Sequence, residues 1–140
     1  MSTDPDRLVA EWLRWKRANE LVRAAIVDDV VSTSDVPEAE LTVLVQLHQA
    51  DGVMRQNALA AAAGWDRTRL SHLLTRMEGR GYVSRTKLRN GVEVTLHPAG
   101  ATALDSARPQ LERAVQTHLF GRLDPKQREA FGEILDALLE

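Results

Sequence analysis

Between Asp6 and Val31, apolar residues recur at steps of three and four: Leu8, Val9, Trp12, Leu13, Trp15, Leu21, Val22, Ala25 and Ile26. That period predicts a helix, and its apolar positions fall on more than one face, which predicts burial on two sides. A helix of this span is roughly 35 Å long at 1.5 Å per residue, more than a minimal small domain covers alone. The polar stretch from Ser32 to Pro37 ends it, with the proline as punctuation. A second helix is expected from Glu38 to Gln49 on the stripe Leu41, Leu44, Val45 and Leu47/His48, closed by Ala50-Asp51-Gly52.

The middle of the chain changes rhythm twice. Arg55 to Ala63 is alanine-rich and stops at Gly64, a natural helix terminator. Asp66 is placed to cap a further helix from Arg67 to Arg80, whose apolar positions Leu70, Leu73, Leu74 and Met77 follow the i, i+3, i+4, i+7 pattern up to Gly81. Helix, short glycine-containing turn and helix together make a helix-turn-helix. The period then shortens. Tyr82–Leu88 and Val92–His97 are β-prone runs joined through Asn90-Gly91, which predicts a hairpin with a type I′ turn. Helical spacing returns from Pro98 to Phe120, with a kink expected at Pro109. It returns again after Asp124-Pro125, a cap followed by proline at the first helical position, with Phe131, Ile134, Leu135, Leu138 and Leu139 on one stripe. The expected fold is mostly α with a small two-stranded β-wing: a winged helix-turn-helix between N- and C-terminal helices.

Length and composition narrow this little. At 140 residues, 44% hydrophobic and 27% charged, the chain is expected to form a single domain with an ordinary core. No apolar run approaches the roughly 20 residues of a membrane span, and the opening MSTDPDRL has no apolar leader segment. The absence of cysteine excludes disulfides, thiolate metal sites and thiol redox switching, and fits a cytoplasmic address.

Charge is more telling. The net charge of −2 is unevenly spread: Arg55–His97 holds eight basic residues against three acids, or +5, leaving −7 for the rest. A basic middle between acidic ends suits a segment that meets a polyanion.

In its ordered motifs the chain resembles the MarR family of bacterial transcriptional regulators over nearly its whole length. The resemblance rests on Leu41-Thr42-Val43-Leu44-Val45, on Leu59-Ala60, on the run from Gly64 to Glu78 and on Gly81-Tyr82-Val83-Ser84-Arg85. It continues in Leu96-His97-Pro98-Ala99-Gly100, like the family's L-T-x-x-G with His97 for threonine, and in Leu123-Asp124-Pro125-Lys126-Gln127. The wing departs from the family. Where an Asp-x-Arg motif in a longer loop is usual, this chain has the shorter Lys87-Leu88-Arg89-Asn90-Gly91 without the aspartate. Arg89 is the positional candidate for the wing arginine, on a wing that reaches less far toward a minor groove.

If Leu70, Leu73, Leu74 and Met77 face a core, then Thr68, Arg69, Ser71, His72, Thr75 and Arg76 face outward or to the flank. A helix fits the DNA major groove, where arginine binds guanine O6 and N7 bidentately and Ser/Thr reach base edges. Arg69 and His72 are the base-reading candidates, Arg67, Thr68 and Ser71 lie nearer the helix start, and Arg76 suits phosphate. Arg55, Gln56 and Asn57 open the preceding helix, where free N–H groups favour an anion; simple capping is the rival reading. Lys87 and Arg89 mark the wing tip, while Arg85 suits the wing base and an acidic partner.

No glycine-rich phosphate loop, nucleophile elbow or histidine metal spacing is present, and His48, His72, His97 and His118 lie far apart. Neither enzyme, cofactor nor metal is therefore expected. Asp28, Asp29, Asp35, Glu38 and Glu40 cluster near the first connection, read as an acidic solvated loop rather than a cation site.

The apolar breadth of segments 6–31 and 98–140 predicts that they dimerise, with 38–97 as the DNA-binding lobe of a single 1–140 domain. A two-fold dimer sets two recognition helices in successive major grooves, about 34–36 Å apart. The resemblance implies the same homodimer, a role as repressor on a near-palindromic operator in double-stranded DNA, and a small-molecule effector pocket. Trp12, Trp15, Leu44 and His48 are candidates to line that pocket, with core packing the competing role for both tryptophans. The alternative is a winged-helix module for protein assembly with no specific DNA target.

Overall fold

Local signals start and stop most of the elements. The computed structural model describes residues 4–140; the first three residues of the opening read as leaderless lie outside it. Helix α1 covers Pro5–Val31, with Pro5 in its first turn and the Asp4 carboxylate accepting from the Asp6 amide. Helix α2 covers Glu38–Gln49, β1 Val53–Arg55, α3 Gln56–Ala63, α4 Arg67–Gly79, β2 Val83–Leu88 and β3 Gly91–Leu96. Helix α5 runs from Pro98 to His118 with Pro109 inside it, a 3₁₀ turn follows at Phe120–Arg122, and α6 spans Pro125–Leu139. Asp124 and Gln127 form a reciprocal capping box at the start of α6, each side chain bonding the other's amide at 2.9 Å.

Two features of the wing differ from expectation. Its sheet is antiparallel and three-stranded in the order β1-β3-β2. The added strand pairs Val53 with Thr95 and Arg55 with Glu93. The hairpin register pairs Leu88 with Gly91, so the turn is centred on Arg89 and Asn90 instead of Asn90-Gly91. Neither central residue has positive φ, which excludes type I′. Of the expected Asn90-Gly91 pair, Gly91 alone has positive φ, at 146°, where a side chain would be strained.

The chain divides into two compact units. One comprises Thr33–Pro109, so the first half of α5 belongs with the winged lobe. Its core is built from Leu41, Val43, Leu44 and Leu47 of α2, Leu59 of α3, and Leu70, Leu73, Leu74 and Met77 of α4. Val83, Val94 and Leu104 are buried with them. The start of α5 is set close to the wing: the His97 amide donates to the Tyr82 carbonyl at 2.9 Å, and a Cβ on Gly100 would lie 2.4 Å from that same oxygen. Only glycine permits this approach, which gives the glycine of the Leu96–Gly100 motif its physical reason. Glu40, 2% exposed, accepts from Arg80 Nη1 through both carboxylate oxygens. It is therefore no part of a solvated acidic loop. A buried carboxylate without such a partner would be strongly destabilising.

The other unit holds the described residues up to Ser32 together with Gln110–Glu140. Phe120 and Phe131 meet edge to face with centroids 6.1 Å apart, Arg128 Nε donates to the Phe120 carbonyl at 3.0 Å, and His118 Nε2 lies 2.6 Å from Asp29 Oδ2. Its apolar stripes are largely uncovered: Val30 is the buried residue of α1, and α6 has none.

Candidate nucleic-acid interface

Burial fixes which way α4 faces. With Leu70, Leu73, Leu74 and Met77 all at 2% exposure or less, the helix can present only its opposite side. Arg67, Thr68, Arg69, His72 and Arg76 are exposed there. Positions 69, 72 and 76 fall at i, i+3 and i+7, so they align along one outward stripe. Asp66 starts the helix as expected, its Oδ1 accepting from the Arg69 amide at 2.8 Å. The Arg69 guanidinium carbon lies over the Trp65 ring, 4.8 Å from its centroid.

Ser71 is placed otherwise. It is half-buried and faces the wing base, where its hydroxyl accepts from Arg85 Nη1 at 3.3 Å. Its proton and one lone pair remain for a further partner. Thr75 belongs to the same flank, accepting from Arg85 Nη2 at 2.8 Å. Arg85 itself meets the acid expected of it: Nε and Nη2 donate to Glu78 Oε1 at 2.9 and 2.6 Å, and its amide donates to Oε2. One arginine on β2 thus ties the wing to three residues of α4 and sets the angle between helix and wing. Its side chain and that of Glu78 are 22% and 33% exposed, so the pair is screened only in part. Glu78→Gln is expected to lower stability by about 1.5–3 kcal/mol, the scale of a hydrogen bond to a charged group, measured as a shift in urea midpoint at constant m-value.

The third-helix candidates separate. Arg55 is the last residue of β1, not the first of the helix, and its Nη1 donates to Asn90 Oδ1 at 3.0 Å, bracing the wing turn. Gln56 begins α3 with its Oε1 buried and without a hydrogen-bond partner, so that oxygen points into the protein. Asn57 is exposed, as are Lys87 and Arg89 on the wing. The effector candidates are equally divided. Leu44 is wholly buried in the core of its unit, which leaves it no surface for a ligand. His48 is exposed, and Trp12 and Trp15 are 55% and 56% exposed on α1, so neither tryptophan is core within one chain. Lys16 Nζ sits over the Trp12 ring at 4.6 Å.

Among the described residues no group of three or more histidines and carboxylates could hold a metal, and no helix is long and apolar enough to cross a membrane. The MarR family matches residues 36–90, the stretch that carries the helix-turn-helix and most of the wing. Solved structures of that family extend the likeness to the full length. Sco3205, a MarR family transcriptional regulator from Streptomyces coelicolor solved with DNA, is 28% identical with a TM-score of 0.84, covering 100% of this chain and 92% of its own.

Residues 36–90 of the chain match the MarR family, and the whole chain shares the fold of that family's solved structures. Members of that family are DNA-binding transcriptional regulators and not enzymes.

Two further solved structures share the fold. A cysteine-to-serine mutant of MarR from E. coli, complexed with operator DNA, matches at TM-score 0.80 and 18% identity, covering 99% of this chain and 100% of that one. BpsR from Bordetella bronchiseptica, whose DNA binding is regulated by 6-hydroxynicotinic acid, matches at 0.73 and 25% identity, covering 93% of each chain. No curated protein sequence matches the chain.

Of the features of this MarR-type lobe, sequence reasoning missed the Glu40–Arg80 pair, β1 and the contact of Trp65 with Arg69. The last left a trace in sequence, an aromatic residue four positions before an arginine across a helix start.

Proposed function

We propose that the protein is a repressor that binds a near-palindromic operator as a two-fold dimer and is released from it by a small organic ligand. The observation that carries this reading is the outward stripe Arg69–His72–Arg76 on α4, next to a wing whose tip exposes Lys87 and Arg89. In it α4 lies in the major groove, Arg69 and His72 read base edges, and Arg67, Thr68 and Arg76 engage at the groove margin and the backbone. Asn57 and the amide end of Gln56 approach phosphate at the start of α3, Lys87 and Arg89 approach the backbone from the wing, and Ser71 has a minor part. Arg55 supports the wing turn. Residues 6–31 and 98–140 supply the dimer contact, the latter through its part beyond Pro109, and 38–97 supply the DNA-binding lobe against which the start of α5 packs.

Ligand control is supported by the relative whose DNA binding is regulated by 6-hydroxynicotinic acid. Trp12, Trp15 and His48 are the exposed side chains of the candidate set that can meet such a ligand. With no cysteine in the chain, release operates by non-covalent binding.

The test is a fluorescence-anisotropy titration against duplexes from the DNA flanking its own gene, beside scrambled duplexes. Specific binding with two protected half-sites one helical turn apart is expected, as is loss of transcription from the adjacent promoter in a reconstituted assay. Equal affinity for operator and scrambled duplex at physiological salt is the outcome that overturns the reading.

A further inference from the structure

Four arginines of the winged lobe are held in two different ways. Arg55, Arg80 and Arg85 are restrained by hydrogen bonds to Asn90, Glu40 and Glu78, so donors of each guanidinium are committed to the protein. Arg69 is restrained by an aromatic face instead: its guanidinium lies over the Trp65 ring, 4.8 Å from the centroid. A π face attracts the cation without using an N–H. The side chain is therefore limited in where it can go while its fork of donors remains available. That combination suits a group that must place two N–H bonds on one base edge, since ordering a free arginine on binding costs rotamer entropy.

We infer that Trp65 is a specificity-positioning residue, a platform that holds Arg69 ready for a guanine edge. The inference rests on the proposed base-reading role of Arg69 and adds a residue that does not itself touch DNA. The position favours it. Trp65 is the residue before the Asp66 cap, half-buried, and Arg69 is the residue whose amide that cap binds. Both ends of the contact are thus tied to the first turn of α4. The competing role is structural: a large apolar residue before a cap commonly packs against the residue four beyond it, here Leu70.

Two substitutions separate these roles. Trp65→Leu keeps an apolar side chain but removes the π face, and Trp65→Phe keeps a π face. The probe is the duplex recovered by selecting wild-type protein against a random-sequence duplex library, with the unselected library as reference. Trp65→Leu is expected to lower the ratio of selected to random affinity by about two- to five-fold per half-site, the equilibrium factor of an exposed cation–π contact. Over two half-sites this is about four- to twenty-five-fold. Trp65→Phe should recover much of it, and in an Arg69→Ala background Trp65→Leu should have no further effect on the ratio.

NMR of the free protein supplies the readout that a purely structural role would not move. The Arg69 side-chain protons should be displaced upfield by the ring current in the wild type and Trp65→Phe, and return to ordinary positions in Trp65→Leu. If Arg69→Ala lowers the ratio and Trp65→Leu does not, the platform is wrong and the reading of Arg69 stands. If Trp65→Leu and Trp65→Phe lose the ratio equally while the melting temperature falls, Trp65 is structural and the inference fails. If Arg69→Ala itself leaves the ratio unchanged, the base-reading role fails and the proposed platform function falls with it, whatever the ring-current shift.

Discussion

Aspartate at both Leu135 and Leu138 is expected to abolish operator binding and leave the chain aggregated or unfolded instead of a stable monomer. The reason lies in what α6 fails to bury. Leu135 and Leu138 are 39% and 66% exposed within one chain, Ile134 and Leu139 are also exposed, and no residue of the helix is buried. Leu8, Val9, Trp12, Leu13 and Trp15 repeat the situation along α1. Soluble monomers rarely expose contiguous apolar patches larger than a few hundred Å², and a helix without a covered face has little beyond intrinsic propensity to hold it. In the proposed dimer a second copy of the chain, related by a two-fold axis, would present the same stripes and cover them. A charge placed there must be buried unpaired or prevent the contact. Folding and association are then one equilibrium, so loss of the dimer removes both stability and the paired recognition helices. Sedimentation velocity of the wild type is the decisive control, because it does not depend on how the variant folds. A compact monomer at micromolar concentration would sink the idea.

What could be read from sequence, and what could not, divides by range. The Asp66 and Asp124 caps and the Leu70–Leu73–Leu74–Met77 stripe involve residues within a few positions of each other, and all are found where their local chemistry puts them. The features that escaped depend on distant partners. Strand β1 is three residues long and gains its identity from Thr95, Val94 and Glu93, some forty positions away. Glu40 looked like one acid among several until Arg80 was found on it. The Asn-Gly pair pointed correctly to a hairpin, but the register between Leu88 and Gly91 put the turn one residue earlier. Pairing across the sheet decided that position, not turn propensity alone. Within the candidate site, helical period sufficed to orient Arg69, His72 and Arg76. Ser71 sat on the boundary of the outward arc, and the guanidinium from β2 drew it to the flank.

Arg69→Ala is expected to erode the ratio of operator to random-DNA affinity, whereas Arg76→Ala and Lys87→Ala leave that ratio nearly intact and flatten the dependence on salt. Arg69 lies in the first turn of α4, capped through its own amide and held over Trp65, where a side chain reaches base edges. Losing a bidentate contact to guanine costs about 1–3 kcal/mol and relaxes preference at that base pair. A dimer repeats the contact, so the full effect approaches twice this value when both half-sites carry the same base. Arg76 lies two turns along the stripe and Lys87 on the wing, both exposed, where the duplex backbone would pass. A phosphate contact attracts every sequence alike. Its removal lowers the slope of log K against log salt by about one, and by about two across a symmetric site. Anisotropy titrations at several salt concentrations, on operator and scrambled duplexes, separate ratio from slope in one data set. Should Arg69→Ala change the slope and spare the ratio, α4 does not lie in the major groove as proposed, and the outward stripe serves only to hold the backbone.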